Sequence, residues 1–467
     1  MNKKTMSRRD FLRVSAATGA ALAVTGSALA QDEPTPTPAP LPEGAAGKLT
    51  VIHRTEYFEQ VQTLYRETVE AFAAEKGVEL DISTANPEAF GDFLGKMTAA
   101  VAAGNPPDIA YQSNISNSQM HLLGLVEDVT DVVTEAESRY GAIMPGINAQ
   151  PGGFIDGAWR AIPFLSSGRG IFMRGDKLEE AGIDPKTLTT WDSRRDAMLE
   201  VSDPDNEFWG WGITANQSGD GYGFLTDLIQ SFGGHPTDET GQIVQFNSPE
   251  TVAAVTWLAE TYSRDGKYGP MLPPGIESWG DISNNEAYLA GSVGYTHNAF
   301  SVYAQAKRDN NPVYPVTIIL PAAFGPAEID MNGGSTSGWM NIFKGAQNIE
   351  LAKELALHLL SPEVFTPMSS LGAGLFMPAY SNLWTDELIA ADPNFAIVKE
   401  QVSVENPFIG WSYPAQPNAL IDAIRPPGII EAMVRNVVSG EMTPEEAVAD
   451  CHQKIVDIFE EGGVMHP

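Results

Sequence analysis

The chain has 467 residues, of which 43% are hydrophobic and 19% charged, so its composition is globular and its length suits about two or three domains. Its 60 acidic and 28 basic residues give a formal net charge of −32, and so acidic a surface argues against binding nucleic acid or anionic lipid. The single cysteine, Cys451, excludes an intramolecular disulfide and a zinc site built on several thiolates.

Residues 1–30 predict an export signal. Arg8 and Arg9 precede a short apolar run rich in Ala and Gly, and the segment ends in Ala28-Leu29-Ala30, a small-x-small cleavage pattern. The arginine pair favours the twin-arginine (Tat) pathway, which carries folded proteins, and an ordinary Sec signal with two chance arginines is the alternative. We therefore expect a protein of the periplasm or cell surface, soluble after signal removal because no later apolar run is long enough for a membrane helix.

Residues 31–47 alternate proline with small residues and predict an extended linker without a fold of its own. The fold is expected to begin at Lys48 with strands at residues 49–53, 78–83 and 108–111 separated by helices at residues 56–76 and 87–104. This strand–helix–strand–helix–strand pattern implies a parallel sheet. Ligands of such sheets bind at the carboxyl ends of the strands, here residues 53–57, 83–86 and 111–117.

Further patterns predict helices and strands along the rest of the chain. The helices are expected at residues 178–181, 191–201, 224–232, 249–264, 349–360 and 443–461. The strands are expected within residues 157–174 and at residues 292–297, 313–319 and 338–343.

Motifs of catalysis are missing from the sequence. The seven histidines have no metal-ligand spacing, no GxSxG elbow or phosphate loop occurs, and Gly219-x-Gly221-x-Gly223 does not follow a clear strand. The predicted protein is not an enzyme and needs no cofactor or metal. With 60 acidic residues, a glycosidase pair of carboxylates stays open as an alternative.

Several segments together resemble the bacterial extracellular solute-binding proteins of family 1, the receptors of ABC importers that include maltose- and glycerol-3-phosphate-binding proteins. The resemblance covers residues 48–461, and its segments follow the family's order: Ala102–Ile109, Ile162–Ser167, Asp184–Asp192, Phe232–Glu250, Gly333–Trp339 and Gly440–Ala447.

The resemblance implies an α/β fold of two lobes, the type II periplasmic-binding-protein fold, in which each lobe is a mainly parallel sheet flanked by helices and hinge segments join the lobes. By analogy, lobe 1 is residues 48–163 plus 296–338, and lobe 2 is residues 164–295 plus 339–467. The implied function is an extracytoplasmic receptor, expected to be monomeric, that closes on a sugar or oligosaccharide and delivers it to the importer's membrane permease subunits. A glycerophosphodiester, polyamine or peptide is the alternative solute, and a secreted glycoside hydrolase is the alternative of another class.

The resemblance and the strand ends together suggest aromatic faces and hydroxyl-binding groups for such a solute. The expected ligand-binding residues are Glu56, Tyr57, Tyr111, Asn114, Ser166, Ser167, Trp211, Trp279, Asn298, Gly334, Ser335, Trp339 and Trp411. Asn216 is a weaker candidate. No basic cluster accompanies them, which disfavours a phosphorylated ligand, although Arg169 and Arg425 leave that alternative open.

Overall fold

The computed structural model describes residues 47–86, 90–113 and 115–464, so the predicted signal and almost all of the predicted linker lie outside it. The described strands are β1 Lys48–Arg54, β2 Glu79–Ala85, β3 Ile109–Gln112, β4 Phe154–Ile155, β5 Ala158–Trp159, β6 Ile162–Ser167, β7 Ile171–Arg174, β8 Trp209–Trp211, β9 Val293–His297, β10 Thr317–Ile319, β11 Ser335–Ile342 and β12 Met377–Pro378.

The α-helices of the described chain surround these strands. They are α1 Glu59–Lys76, α2 Phe90–Ala102, α3 Asn117–Leu122, α4 Thr130–Tyr140, α5 Ala149–Gly153, α6 Gly175–Glu180, α7 Trp191–Glu200, α8 Gly219–Ser231, α9 Pro249–Tyr262, α10 Asp281–Leu289, α11 Ser301–Arg308, α12 Ile349–Leu359, α13 Pro362–Gly372, α14 Asp386–Ala390, α15 Phe395–Val402, α16 Ala419–Asp422, α17 Ile429–Val438 and α18 Pro444–Glu461. None of them is both long and apolar enough to cross a membrane.

The helices with the clearest sequence signals form where the pattern predicts them. Helix α1 buries its apolar side and ends at Gly77, whose φ of 66° is the left-handed conformation that favours glycine. Helix α18 begins with a capping box: the Thr443 hydroxyl accepts from the Glu446 amide, and the Glu446 carboxylate accepts from the Thr443 amide. Cys451 on α18 is buried, and burial raises the pKa of its thiol to about 12, so it packs as a small hydrophobe.

A six-stranded sheet in the order β12-β6-β11-β3-β1-β2 forms the centre of lobe 1, residues 47–167 and 335–402. Strand β1 pairs in parallel with β2 and β3, as the strand–helix alternation predicts. Strand β11 runs antiparallel to both of its neighbours, and β12 runs antiparallel to β6. The lobe 1 sheet is therefore mixed rather than mainly parallel.

A four-stranded sheet in the order β10-β7-β9-β8 forms the centre of lobe 2, residues 171–319 and 419–464. Only its β8–β9 pair is parallel, so this sheet is mixed as well. Its core includes Trp211, Phe224, Leu258, Val434 and Ile455, contributed by both stretches of the chain.

The chain crosses between the lobes three times, at residues 168–170, 320–334 and 403–418. The expected boundaries between the lobes at residues 296 and 339 are wrong. Strand β10 pairs with β7 in lobe 2, whereas β11 inserts between β3 and β6 in lobe 1 and returns the chain there as far as α15. The first boundary moves by four residues because β6 extends through Ser167.

Candidate ligand-binding cleft

The carboxyl end of β1 lies against lobe 2. The Tyr57 hydroxyl donates to Oε1 of Gln305 on α11 at 2.7 Å, and the Arg308 guanidinium lies 4.5 Å from the centre of the Phe58 ring. Tyr57 is 46% exposed although its hydroxyl bonds to the opposite lobe. Its ring therefore lies at the rim of the space between the lobes.

A second contact between the lobes joins α3 to α16. The Ser116 hydroxyl donates to the Asp422 carboxylate, and Nε2 of Gln119 donates to the Ala419 carbonyl at 3.3 Å. Burial raises the pKa of Asp422 to about 6, opposed by the hydrogen bond from Ser116 and the charge of Arg425. Together with the Tyr57 contact, this pair holds the two lobes in a closed arrangement.

Helix α11 is anchored to lobe 1 by the buried carboxylate of Asp392. That carboxylate accepts from the Tyr303 hydroxyl at 2.8 Å, from the Lys307 ammonium at 2.6 Å and from the Tyr314 hydroxyl at 2.8 Å. Burial and the Asp392 charge raise the pKa of Tyr314 to about 12. The Asp392 hydrogen bonds therefore also join lobe 2 to lobe 1.

The lobe 1 wall of the cleft carries an ion pair. Nη2 and Nε of Arg54 each lie 2.9 Å from Oε2 of Glu56, and Nη1 of Arg54 donates to the Ser113 hydroxyl at 3.0 Å. Glu56 is almost fully buried, so its carboxylate orients Arg54 at the ends of β1 and β3. Tyr111 is buried beside this pair, and its hydroxyl makes no hydrogen bond within the described residues.

The lobe 2 wall consists of the starts of α8 and α10. The Asp281 carboxylate accepts from the amides of Gly219 and Asp220 at 3.0 Å each. Asp220 in turn accepts from Nδ2 of Asn284 at 3.0 Å and from the Ala299 amide at 3.2 Å. Burial, and next the Asp281 charge, raise the pKa of Asp220 well above its usual range.

Two amide side chains connect this wall to Tyr57. Nδ2 of Asn298 donates to Oδ1 of Asn285 at 2.5 Å, and Nδ2 of Asn285 donates to the Tyr57 hydroxyl at 3.5 Å. Oδ1 of Asn298 and Oδ1 of Asn284 are buried and accept no hydrogen bond from the described residues.

Trp279 supplies an aromatic surface on the lobe 2 wall, directly before α10. Its half-buried indole packs against the lobe 2 core and against a second apolar cluster that contains residues of both lobes. Its carbonyl accepts from the Thr214 hydroxyl at 2.6 Å and from Nδ2 of Asn216 at 3.2 Å, which fixes the backbone before α10. Asn216 thus has a structural role through its side chain.

The first crossing is held by Arg169. Its Nη1 lies 2.5 Å from Oδ2 of Asp227 on α8, and its amide donates to Oε1 of Gln401 at 3.0 Å. Because the guanidinium is paired with a carboxylate of the same protein, Arg169 does not support the phosphorylated-ligand alternative.

Three residues expected in the site belong to the cores instead. Trp211 is fully buried in lobe 2 and its indole N–H donates to the Tyr262 hydroxyl at 3.1 Å. Trp339 is buried in lobe 1 against α5, where a Cβ on Gly153 would lie 2.7 Å from its ring. Ser166 is fully buried and donates to the Pro378 carbonyl at 2.7 Å, which fixes β12 on β6. None of the three side chains is available to a ligand.

The expected polar groups at the crossings also have protein partners. The Gly334 amide donates to the Gly146 carbonyl at 2.8 Å, so it is not the ligand donor we expected. The Ser167 hydroxyl donates to the Gly168 carbonyl at 3.0 Å, and Ser335 is exposed opposite Ser167 in the β6–β11 pair. Trp411, on the third crossing, packs on the lobe 2 core, and its buried indole N–H makes no hydrogen bond within the described chain.

Asn114 lies outside the described residues. Tyr57 and Asn298 are brought together through Asn285, and Glu56 precedes Tyr57 at the end of β1, whereas Trp279 lies before α10. The contact of these residues with a ligand remains a prediction. The sequence analysis missed the side chains that connect them, which are Arg54, Asp220, Asp281, Asn284, Asn285 and Gln305. The run Ser218-Gly219-Asp220, a helix start after β8, was the available signal.

No group of three His, Cys, Asp or Glu side chains within the described ranges is placed to hold a metal ion. Two α/β lobes that meet around a polar and aromatic cleft, joined by three crossings, define a two-lobed solute-binding protein. The sequence model of the bacterial extracellular solute-binding proteins matches residues 67–397, and the chain belongs to that family. A Tat signal sequence matches residues 5–25, which confirms the predicted export route.

Solved structures of the same fold are numerous, although no curated protein sequence matches the chain. A solute-binding protein of an ABC transporter from Thermotoga lettingae, bound to alpha-D-tagatose, is 18% identical with a TM-score of 0.73 over 89% of this chain and 100% of its own. Maltose-bound MalE3 of T. maritima is 19% identical with a TM-score of 0.70, over 88% and 99%. The acarbose-binding GacH receptor of Streptomyces glaucescens is 17% identical with a TM-score of 0.68, over 89% and 99%. At these identities the likeness establishes the fold.

Proposed function

We propose that the protein is the extracytoplasmic receptor of an ABC importer and that it binds a sugar, polyol or oligosaccharide between its lobes. The observation that carries the proposal is the contact between the lobes, where the half-exposed Tyr57 ring lies beside the side-chain amides of Gln305 and Asn285. The half-buried Trp279 lies directly before α10, the helix that carries Asn285. Sugar rings and hydroxyl groups are recognised by such aromatic faces and acceptors. The tagatose, maltose and acarbose bound by proteins of this fold are of the same chemical class.

The closed arrangement suggests how the solute is retained. The Tyr57–Gln305 and Ser116–Asp422 hydrogen bonds each join opposite lobes, so both must break when the lobes separate. Binding energy that favours these contacts shifts the population toward the closed form. The closed form then docks on the importer's permease subunits as a monomer and releases the solute unchanged.

Thermal unfolding with a panel of neutral solutes tests this function. The panel contains D-tagatose, maltose, acarbose, ribitol, D-mannitol and laminaribiose, the solutes of structures with this fold. A ligand at 100 times its Kd is expected to raise the free energy of unfolding by about 2.7 kcal/mol, and the radius of gyration should fall as the lobes close. A shift for none of these solutes would count against the sugar assignment.

Substitution of Trp279 links the binding to the cleft. Trp279→Ala is expected to weaken binding at least about 10-fold, because removing a buried aromatic contact costs more than 1.4 kcal/mol. Trp209→Ala is the matched control, since Trp209 is also half-buried on lobe 2 but lies in the surface depression with Phe208 and Ser292. Equal affinity in the two variants would remove Trp279 from the site.

The same thermal-unfolding assay, extended to other solutes, also tests the alternative functions. A glycerophosphodiester, polyamine or peptide would shift the unfolding temperature when the sugars do not. A glycoside hydrolase would release reducing ends from acarbose-like or laminari-oligosaccharides, which mass spectrometry of the supernatant detects.

A further inference from the structure

The amino-terminal end of α8 is a strong polar feature of the lobe 2 wall. The first amides of a helix have no partner within the helix, and they attract anions. Here the amides of Gly219 and Asp220 donate to Oδ2 and Oδ1 of Asp281 at 3.0 Å each, and the Gly221 amide donates to the Ser218 hydroxyl at 3.0 Å. A carboxylate of the protein therefore occupies the position that an anionic group of a solute would take.

A guanidinium lies near the first residue of the same helix. A Cβ built on Gly219 would be 3.2 Å from Oδ2 of Asp281 and 3.9 Å from Nη2 of Arg425. Two helix amides and an arginine converge here, which is a typical donor set for phosphate or sulfate. Asp281 supplies the negative charge that this donor set requires.

The remainder of the wall offers acceptors rather than donors. Asn284 is fully buried and Asn298 is 9% exposed, and the Oδ1 atom of each accepts no hydrogen bond from the described residues. Their Nδ2 atoms are already bonded to Asp220 and Asn285. Buried acceptors without partners are costly, and an anion placed beside them would add a further charge that nothing there offsets.

We propose that Asp281 is a specificity-determining residue that closes the amide end of α8 to anions and restricts the cleft to uncharged, hydroxyl-bearing solutes. The proposal rests on the proposed function, because the wall must face the transported solute. It adds a prediction about charge: phosphorylated and sulfated compounds are rejected even though Arg425 lies at the site.

The test uses inorganic phosphate and sulfate as probes on Asp281→Asn and Asp281→Ser. Both variants remove the charge, and each keeps a group that can accept from an amide. The matched control is Asp238→Asn, because Oδ1 of Asp238 also accepts from backbone amides, those of Gln242 and Ile243, in a turn of lobe 2. Far-UV circular dichroism checks that each variant is folded.

Unfolding temperatures are compared in phosphate, sulfate and chloride at equal ionic strength. The wild-type protein and Asp238→Asn are expected to show no difference, whereas the Asp281 variants gain about 2 °C in phosphate at ten times the Kd. The proposal would be overturned if phosphate stabilised the wild-type protein as much as the Asp281 variants. It would also be overturned if Asp281→Asn and Asp281→Ser were folded but gained no stability in phosphate. If neither variant folds, equilibrium dialysis of wild-type protein decides: phosphate binding below about 1 mM overturns it, and no binding supports it.

The neutral-solute panel separates this proposal from the function on which it rests. If the wild-type protein binds none of the neutral solutes, the sugar assignment is wrong, but the effect of phosphate on the Asp281 variants still tests the role of Asp281. A wild-type protein that binds neutral sugar and phosphate equally well retains the function and loses the role of Asp281.

Discussion

Lowering the pH is expected to strengthen closure of the lobes through Asp422. This carboxyl belongs to lobe 2 and accepts from Ser116 of lobe 1, so it becomes solvated when the lobes part. Its pKa is about 6 in the closed form and returns toward the usual 3.8 in the open form. The closed form therefore binds the proton more tightly, and its advantage is complete below pH 3.8 and lost as the pH rises through about 6.

The size of the effect follows from this difference in pKa. About two pH units at 1.36 kcal/mol each give an upper limit of about 3 kcal/mol, which water around the half-buried carboxyl reduces. Ligand affinity should thus fall by at most about 10-fold per pH unit between pH 4 and 6. The charge of Arg425 also acts on Asp422, and it is present in both proteins compared below.

The assay is ligand affinity and radius of gyration from pH 4.5 to 7.5 for the wild-type protein and Asp422→Asn. The variant keeps an acceptor for Ser116 but cannot titrate at this position, so its ligand affinity should vary less with pH across this range. Asp309→Asn is the control, because Asp309 is exposed and its pKa is lowered by Arg308. An Asp422→Asn profile as steep as that of the wild-type protein would refute the reasoning.

Further substitutions separate stability from binding. Trp339→Ala is expected to lower the free energy of unfolding by about 3–5 kcal/mol in chemical denaturation, with ligand affinity unchanged for the folded fraction, because the indole fills the lobe 1 core. Glu56→Gln leaves Arg54 without its carboxylate partner and should cost about 3 kcal/mol; no change in the denaturation midpoint would show that the pair is not stabilising. Thr443→Ala removes a helix cap and should cost about 1 kcal/mol without affecting binding, and a larger loss would mean that α18 has a further contact at this end.

Local structure was predictable from the sequence wherever a helix carried both an apolar face and end signals. Helices α1, α9, α12 and α18 begin and end within a few residues of the expected positions, because Gly77, Pro249 and Thr443 act through short-range chemistry. The assignment of strands to lobes was less accessible. The sequence of β11 has the pattern of any apolar strand. Only its long-range pairing with β3 and β6 shows that the chain has returned to lobe 1.

The candidate site shows the same limit. Trp211, Trp279 and Trp339 look alike in the sequence, yet Trp211 is buried in lobe 2, Trp339 is buried in lobe 1, and Trp279 stays half-buried before α10. Which face of a strand becomes buried depends on the helix packed against it. Helix α5, for example, places Gly153 against the ring of Trp339. Asp281 was missed because its role depends on amides 61 and 62 residues away along the chain.

The position of β11 also bears on when the protein can fold. The lobe 1 sheet needs β11 between β3 and β6, so its centre is incomplete until residues beyond 342 have been synthesised. The strand that joins the two halves of the sheet is thus separated from β3 by more than two hundred residues, and contacts so distant in sequence form slowly. A chain assembled in this order acquires its native shape only near the end of translation, and the Tat signal directs it to a translocation route that accepts completed proteins.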